Sequence, residues 1–321
     1  MFFLKKRKDV LAVILTSSDI LRARRAYDTL KNCKKTIEVD VEIIVNSLNK
    51  NYLQEIKDEF KKDKVKITEA ESNGLCGKGK NSVLDHFRKH KKKYNYLMPI
   101  DGDDFFYPSA FEQFEKILIH KPDIIGLQRA DEIVKIKEAG AFQKNDHFHH
   151  IKNNIYMNSW NEKEFNLNIV FPKDPEKGVL NQPTPDRVMF LSEKLLKNEL
   201  DLHLPEKLVL YDDYVFDVYL YEKAINKNYS YAHTSSSFCY VYDRSNDVSI
   251  SSEYRTSGDN NLMDNDSKVK EINQEIYNEM EQTLLKCKDK VDFGIIPHFK
   301  LGMPKNFTLE DKLLFVKQNI I

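Results

Sequence analysis

Asp101-Gly102-Asp103-Asp104 puts three carboxylates within four residues, directly after the apolar run Tyr94–Ile100. Like charges this close must be solvated, paired or held by a cation. An oxygen-only donor set suits Mg2+ or Mn2+, which keep several waters and bind through a few carboxylates together with substrate phosphates. The alternative is an acidic surface turn. A calcium loop is excluded: Asp101, Asp103 and Glu112 have its spacing, but Phe105 and Phe106 stand where a fifth-position ligand and a sixth-position glycine belong.

Two further groups carry charge suited to a phosphate-bearing substrate. Lys78 and Lys80 lie in Gly77-Lys78-Gly79-Lys80-Asn81-Ser82, read as a glycine-rich turn before a helix, a setting that receives anions. The pattern is not a Walker loop. Asp212-Asp213 opens a helical stretch; acids there also compensate the helix dipole and cap it, so a structural role competes with a chemical one. His147, His149 and His150 near Asp146 are read as loop histidines rather than a metal site. The run His86–Lys93 is read as the solvated face of a helix, with docking on anionic lipid as the alternative. Trp160 offers a ring for stacking on an acceptor sugar or for core packing.

The elements that must position these groups alternate in type. Val10–Thr16, Val39–Val45, Lys64–Thr68, Tyr94–Ile100 and Asp123–Leu127 are predicted strands. Helices are expected over Asp19–Cys33, after Asn46-Ser47 through Phe60, over Asn81–Lys92 and over Pro108–Ile119. Continuous apolar strands separated by helices imply a mostly parallel α/β sheet covered on both faces. Ligands then bind beyond the carboxyl ends of the strands, where Thr16, Asn46 and Asp101 fall. Residues 129–186 read as loops, a hairpin and an insertion; Arg187–Leu191 and Phe238–Tyr242 read as strands, and Asp212–Lys223 as a helix. Lys268–Cys287 is expected to be an amphipathic helix, followed by a tail.

At this point the chain resembles the family 2-like glycosyltransferases of the GT-A (nucleotide-diphospho-sugar transferase) fold, over roughly residues 9–252. A strand ending in Asp-x-Asp-Asp, then an aromatic pair, a proline and an amphipathic helix carries the likeness. Gly77–Ser82, Tyr211-Asp212-Asp213-Tyr214, and Tyr240–Arg244 with Ser249-Ile250-Ser251 follow in the family's order. The resemblance implies a Rossmann-like domain over 1–255 with a helical extension over 256–321. It places Thr16, Ser17, Asn46, Lys78, Lys80, Asn81, Asp101 and Gly102 on the donor side. Asp103, supported by Asp104, would hold Mn2+ or Mg2+ at the diphosphate, with His233 or His298 open as a further ligand. Asp213 would be the general base for an acceptor hydroxyl, with Asp212 and Trp160 on the acceptor side. Such an enzyme moves one sugar from a nucleotide-diphosphate donor to a glycan, lipid-linked glycan or protein, with inversion.

The pattern departs from the family in two places: Thr16-Ser17-Ser18 replaces Pro-x-Tyr/Phe-Asn after the first strand, and Asn46-Ser47 replaces an acidic pair after the second. Neither position therefore identifies the nucleobase. No Gln-x-x-Arg-Trp occurs, which argues against a processive polysaccharide synthase. Lys plus Arg equals Asp plus Glu at 50 each, without the basic excess of a nucleic-acid binder. The run Val10–Leu15 is too short for a membrane span. Four scattered cysteines form no zinc or disulfide pattern, as expected of a cytoplasmic protein with at most peripheral membrane contact. Two rivals stay open: a sugar-nucleotide nucleotidylyltransferase, which wants a basic glycine-rich loop after the first strand, and a non-catalytic glycan- or nucleotide-sugar-binding module.

Overall fold

The computed structural model describes residues 8–90, 93–127, 130–135, 146–160, 164–172, 187–208, 212–234, 238–245, 274–276, 278–280, 282–283, 293–302, 304 and 307–320. The first half alternates strands and helices in order: β1 (Lys8–Thr16), α1 (Ile20–Asn32), β2 (Val39–Val45), α2 (Tyr52–Glu59), β3 (Lys66–Glu69), α3 (Cys76–Lys89), β4 (Tyr94–Asp101), β5 (Phe105–Phe106), α4 (Ala110–Leu118) and β6 (Ile124–Leu127). Asp19, predicted to open the first helix, is the N-cap of α1; its carboxylate accepts from the Arg22 backbone N–H at 3.0 Å. The second half adds β7 (Asp131–Lys135), β8 (Phe148–Lys152), β9 (Ile155–Asn158), β10 (Glu164–Pro172), β11 (Arg187–Ser192), α5 (Glu193–Asn198), α6 (Asp212–Lys227), β12 (Tyr231–Thr234), β13 (Tyr240–Arg244), β14 (Phe293–Gly302) and α7 (Leu309–Asn319).

Nine strands form the main sheet in the order β14-β10-β12-β6-β11-β4-β1-β2-β3. β1 pairs parallel to both β2 and β4, and β2 parallel to β3. Alternate residues of β1 enter two different cores. Val10, Ala12 and Ile14 pack with α1, α2 and α4, through Ala26, Ile56 and Phe111 among others. Leu11 and Val13 pack with α3, α5 and α6, through Leu84, Leu195 and Val218. Both faces are therefore covered, as the continuous apolar runs require, and the α/β class expected from the sequence is the class observed. The second sheet, β5-β13-β7-β9-β8, packs with α7 around Phe105, Tyr107, Met157 and Val316.

Three elements differ from the sequence reading, in α3, the C-terminal tail and the segment carrying His147–His150, and the orientation of β11 adds to it. α3 begins at Cys76, so Gly77 to Lys80 lie inside its first turns rather than in a turn before it. Close packing explains those glycines: a Cβ on Gly77 would sit 2.1 Å from the Pro205 carbonyl oxygen, and one on Gly79 would sit 3.2 Å from Asn46 Oδ1. β11 runs antiparallel between β4 and β6. The expected tail contains β14, which pairs antiparallel with β10, so residues after 256 contribute a strand to the main sheet as well as helix. Of the expected helix over Lys268–Cys287, residues 274–276, 278–280 and 282–283 are described, and they are helical. The histidines at 147, 149 and 150 lie at and within the edge strand β8 rather than in a loop.

Candidate functional site

The carboxyl ends of β1, β2 and β4 bring Thr16, Asn46 and Asp101 to one edge of the sheet. Leu15 pairs with Asp101, and the Gly102 N–H donates to the Leu15 carbonyl at 2.7 Å. A Cβ at Gly102 would meet that oxygen at 2.8 Å and Thr16 Cβ at 2.9 Å. Close approach of two strand ends is thus what this glycine serves.

β11 delivers a residue the sequence reading had not placed in the site. Its Leu191 pairs with Leu97 of β4 and its Ser192 with Tyr96. Carried back along the two antiparallel strands, that register brings Arg187 level with Asp101. The Arg187 guanidinium reaches Asp101 Oδ2 and Asp104 Oδ2 through Nη2, the latter at 2.7 Å, and Asp213 Oδ2 through Nη1 at 3.0 Å. Its plane lies over Tyr240 and Tyr242, with centroids at 5.5 and 5.1 Å. Lys80, on α3, adds a second cation, 2.6 Å from Asp101 Oδ1 and 3.3 Å from Asp212 Oδ2. The strand-end acids and the acids opening α6 therefore form one cluster around two cations.

Burial disfavours the charged form of Asp101, but Arg187 and Lys80 outweigh it and hold the carboxyl well below its ordinary value. Asp104 is buried, with Oδ2 on Arg187 and Oδ1 accepting from the Asp243 N–H at 3.3 Å. Asp103 differs: no hydrogen bond to its carboxylate is found among the described residues. Burial, followed by the charges of Asp101 and Asp243, pushes it up to about 6. A carboxylate raised by burial and by its neighbours' charges, and bonded to none of them, is suited to a divalent cation shared with phosphate oxygens, the donor set hard cations use. Asp103 fits that role; Asp104, with both oxygens engaged, supports the turn.

Arg25 fixes the turn from below. Its Nη2 donates to the Asp103 carbonyl at 2.6 Å and to Asp243 Oδ2 at 2.7 Å, and its guanidinium lies 4.3 Å from the Phe105 centroid. Arg22 Nη1 is 3.2 Å from the same Asp243 oxygen. Arg187, Arg22, Arg25 and Asp243 were missed as site residues. The one available signal was Arg25, a charge lying between the buried Ala23 and Ala26 on the inward face of α1.

Several predicted residues are engaged elsewhere. Asn81 clamps the loop at Leu204, donating to its carbonyl at 2.8 Å and accepting from its N–H at 2.7 Å. Asn46 donates to the Glu71 carbonyl at 2.9 Å and accepts from Ser72 Oγ at 3.2 Å. Thr16 Oγ1 shares a 2.6 Å hydrogen bond with the Tyr52 hydroxyl, while Ser17 is exposed. Lys78 pairs with the exposed Glu71 at 3.1 Å. Trp160 has its described contacts around the second sheet, where its backbone N–H donates to Asp131 at 3.2 Å and its ring lies 4.7 Å from that of His147. His233 is buried in β12, stacked on Tyr231 at 4.2 Å. Tyr211, Ser249, Ile250, Ser251 and the His298 side chain lie outside what is described.

No protein-family model matches the chain, and no curated protein does. Solved structures similar to it include TarS of S. aureus, at 15% identity and a TM-score of 0.45 over 73% of this chain and 36% of that one. Residues 1–349 of TarS in complex with UDP-GlcNAc match at 15% identity and 0.45, over 76% of this chain and 61% of that one. A mannosyltransferase of Pyrobaculum calidifontis in complex with GDP-Man and Mn2+ matches at 11% identity and 0.40, over 74% and 57%. The chain thus spans between 36% and 61% of the length of these three structures.

Proposed function

We propose that this chain is a metal-dependent, inverting glycosyltransferase that transfers one sugar from a nucleoside-diphosphate donor to a hydroxyl of a glycan or other acceptor. The supporting observation is the Arg187 hub, which joins the strand-end acids Asp101 and Asp104 to Asp213 on α6, while the Asp103 carboxylate has no hydrogen bond among the described residues. Asp103 would hold Mn2+ or Mg2+ together with the donor phosphates, and the cation would offset the charge that grows on the leaving diphosphate. Asp101, held by Lys80, would lie on the nucleoside side with Ser17 and with Thr16 and Asn46, whose present partners Tyr52, Glu71 and Ser72 would then adjoin the donor. Lys78, whose partner Glu71 is exposed, would exchange that partner for a phosphate.

Asp213 acts on the acceptor. Its Oδ2 is held by Arg187, which fixes the carboxylate's orientation; Oδ1 takes the hydroxyl proton. As it does so, the acceptor oxygen bonds to the anomeric carbon. The bond from that carbon to the diphosphate oxygen breaks, and the nucleoside diphosphate leaves with the electron pair. A base across the site from the leaving group gives inversion.

The test is a donor panel, beginning with UDP-GlcNAc and GDP-Man, assayed for nucleoside-diphosphate release and transfer with Mn2+ and with chelator. Asp213→Asn is expected to lower transfer by about a hundredfold or more, the usual contribution of a general base, with donor affinity retained. Unchanged turnover in that variant removes the base assignment. Activity indifferent to chelator removes the metal role of Asp103.

A further inference from the structure

Of the basic run at the end of α3, His86, Arg88 and His90 are engaged inside the molecule, while Lys89 and Lys93 are exposed. Arg88 donates to the carbonyls of Leu196, Glu199 and Leu202 and to Asp85, at 2.8 to 3.3 Å. Its two histidines, one helical turn apart at i and i+4, turn together onto one carboxylate of β2. His86 Nε2 is 2.6 Å from Glu42 Oε2, His90 Nε2 is 3.3 Å from the same oxygen, and the two Nε2 atoms are 3.4 Å apart. Side-chain exposures are 7% for Glu42, 8% for His86 and 15% for His90, so the triad is nearly sealed.

What covers it is a cation. Lys66, from the neighbouring strand β3 and directly paired with Glu42, places Nζ 2.9 Å from Glu42 Oε2 and 3.4 Å from His90 Nε2. The four atoms enclose one small space, with an ammonium at the corner nearest solvent. A four-coordinate Zn2+ with N and O ligands at about 2.0–2.2 Å needs ligand atoms spaced at about 3.3–3.5 Å. Two of the three edges have that length already. The third, between His86 and Glu42, is at hydrogen-bond distance because a proton bridges it, and metal binding would replace that proton.

We propose that Glu42, His86 and His90 form a second metal site, selective for Zn2+ or a similar transition-metal ion, which the ion enters by displacing the Lys66 ammonium. Two imidazoles and one carboxylate are the softer, nitrogen-rich set such ions prefer, in contrast to the oxygen-only set at Asp103. His86 and the C-cap His90 lie six and ten residues beyond Lys80, about 9 and 15 Å from it along the axis of α3. The site pins the C-terminal end of α3 to β2, so its ion is structural.

The full-length protein, stripped of metal, is titrated with Co2+ and then with competing Zn2+, reading the visible d–d absorption of four-coordinate cobalt. One equivalent of Co2+ is expected to give these bands and Zn2+ to bleach them, with the same result in an Asp103→Asn background. His90→Asn, at the most exposed of the three ligands, is expected to weaken Zn2+ affinity by at least about tenfold, since even outer-shell changes cost this much. Lys66→Met, at a side chain 54% exposed, is expected to tighten it by removing the competing cation. Absent four-coordinate bands overturn the proposal, as do bands undiminished in His90→Asn. Weaker binding in Lys66→Met overturns the displacement.

Discussion

Asp103 and Arg187 divide the electrostatics of the acid cluster between them. Arg187 ion-pairs with Asp101, Asp104 and Asp213 at once, but one guanidinium cannot neutralise three carboxylates, and burial amid the remaining negative charge raises Asp103 to about 6 and raises Asp104 and Asp212 as well. A carboxyl whose folded pKa is raised is more easily protonated in the folded state than in the unfolded chain, so its charge destabilises the fold. That penalty is fully present above the folded value of about 6, shrinks as pH falls through it, and vanishes below the unfolded value near 4. In chelator, Asp103→Asn is therefore expected to raise the melting temperature at pH 7.5 by several degrees, the upper limit of the gain being about 3 kcal/mol. The gain should fade between pH 6 and pH 4. Thermal unfolding followed by circular dichroism across that range checks both the sign and the window.

Helix α7 supplies the other buried charge of note. Lys312 and Asp131 are both fully buried and 2.9 Å apart; Lys312 also lies 3.9 Å from the Phe238 ring centre, and Asp131 accepts from the Tyr107 hydroxyl at 2.6 Å. This pair ties α7 to β7, the neighbour of β13 that carries Tyr240, Tyr242 and Asp243. Truncating one member leaves the other charged and uncompensated, which costs about 3–5 kcal/mol, whereas replacing both with neutral groups is close to harmless. Lys312→Met is expected to lower stability to that extent in denaturant titration, and Asp131→Asn combined with Lys312→Met to recover much of it. A fully additive double variant would mean that the two side chains are not coupled.

At the scale of the molecule, the C-terminal segment is part of the fold that holds the site. β14 covers the edge of β10, and α7 closes the core of the second sheet through Val316 and Ile320. Ending the chain at residue 292 uncovers a nine-residue strand edge and the buried Asp131, so the truncated protein is expected to aggregate or to unfold at lower denaturant. Size-exclusion chromatography and a denaturant titration of the truncated chain test this. A truncated chain that is monomeric and equally stable would show that the segment only decorates the sheet.

Local pattern alone determined the first half of the fold. β1, β2 and β4, the span of α1 from its cap at Asp19, and Asp101–Asp104 at a strand's carboxyl end were legible, because periodicity and turn chemistry act within a few residues. The acids at 212 and 213 were legible as a pair but not as neighbours of the first turn. That juxtaposition was decided by the antiparallel insertion of β11, which presents Arg187 to carboxylates 86 and 83 residues before it and 26 after it. The start of α3 was misplaced because its glycines read as a loop, whereas contacts with Pro205 and Asn46 are what require them. The strand in the expected tail depends on pairing with β10 from more than a hundred residues away. The same holds for Glu42, His86, His90 and Lys66: helical spacing puts the histidines on one face, but only strand order puts a carboxylate and an ammonium opposite them. Sequence patterns encode what one element presents; which elements meet is settled by sheet register and packing.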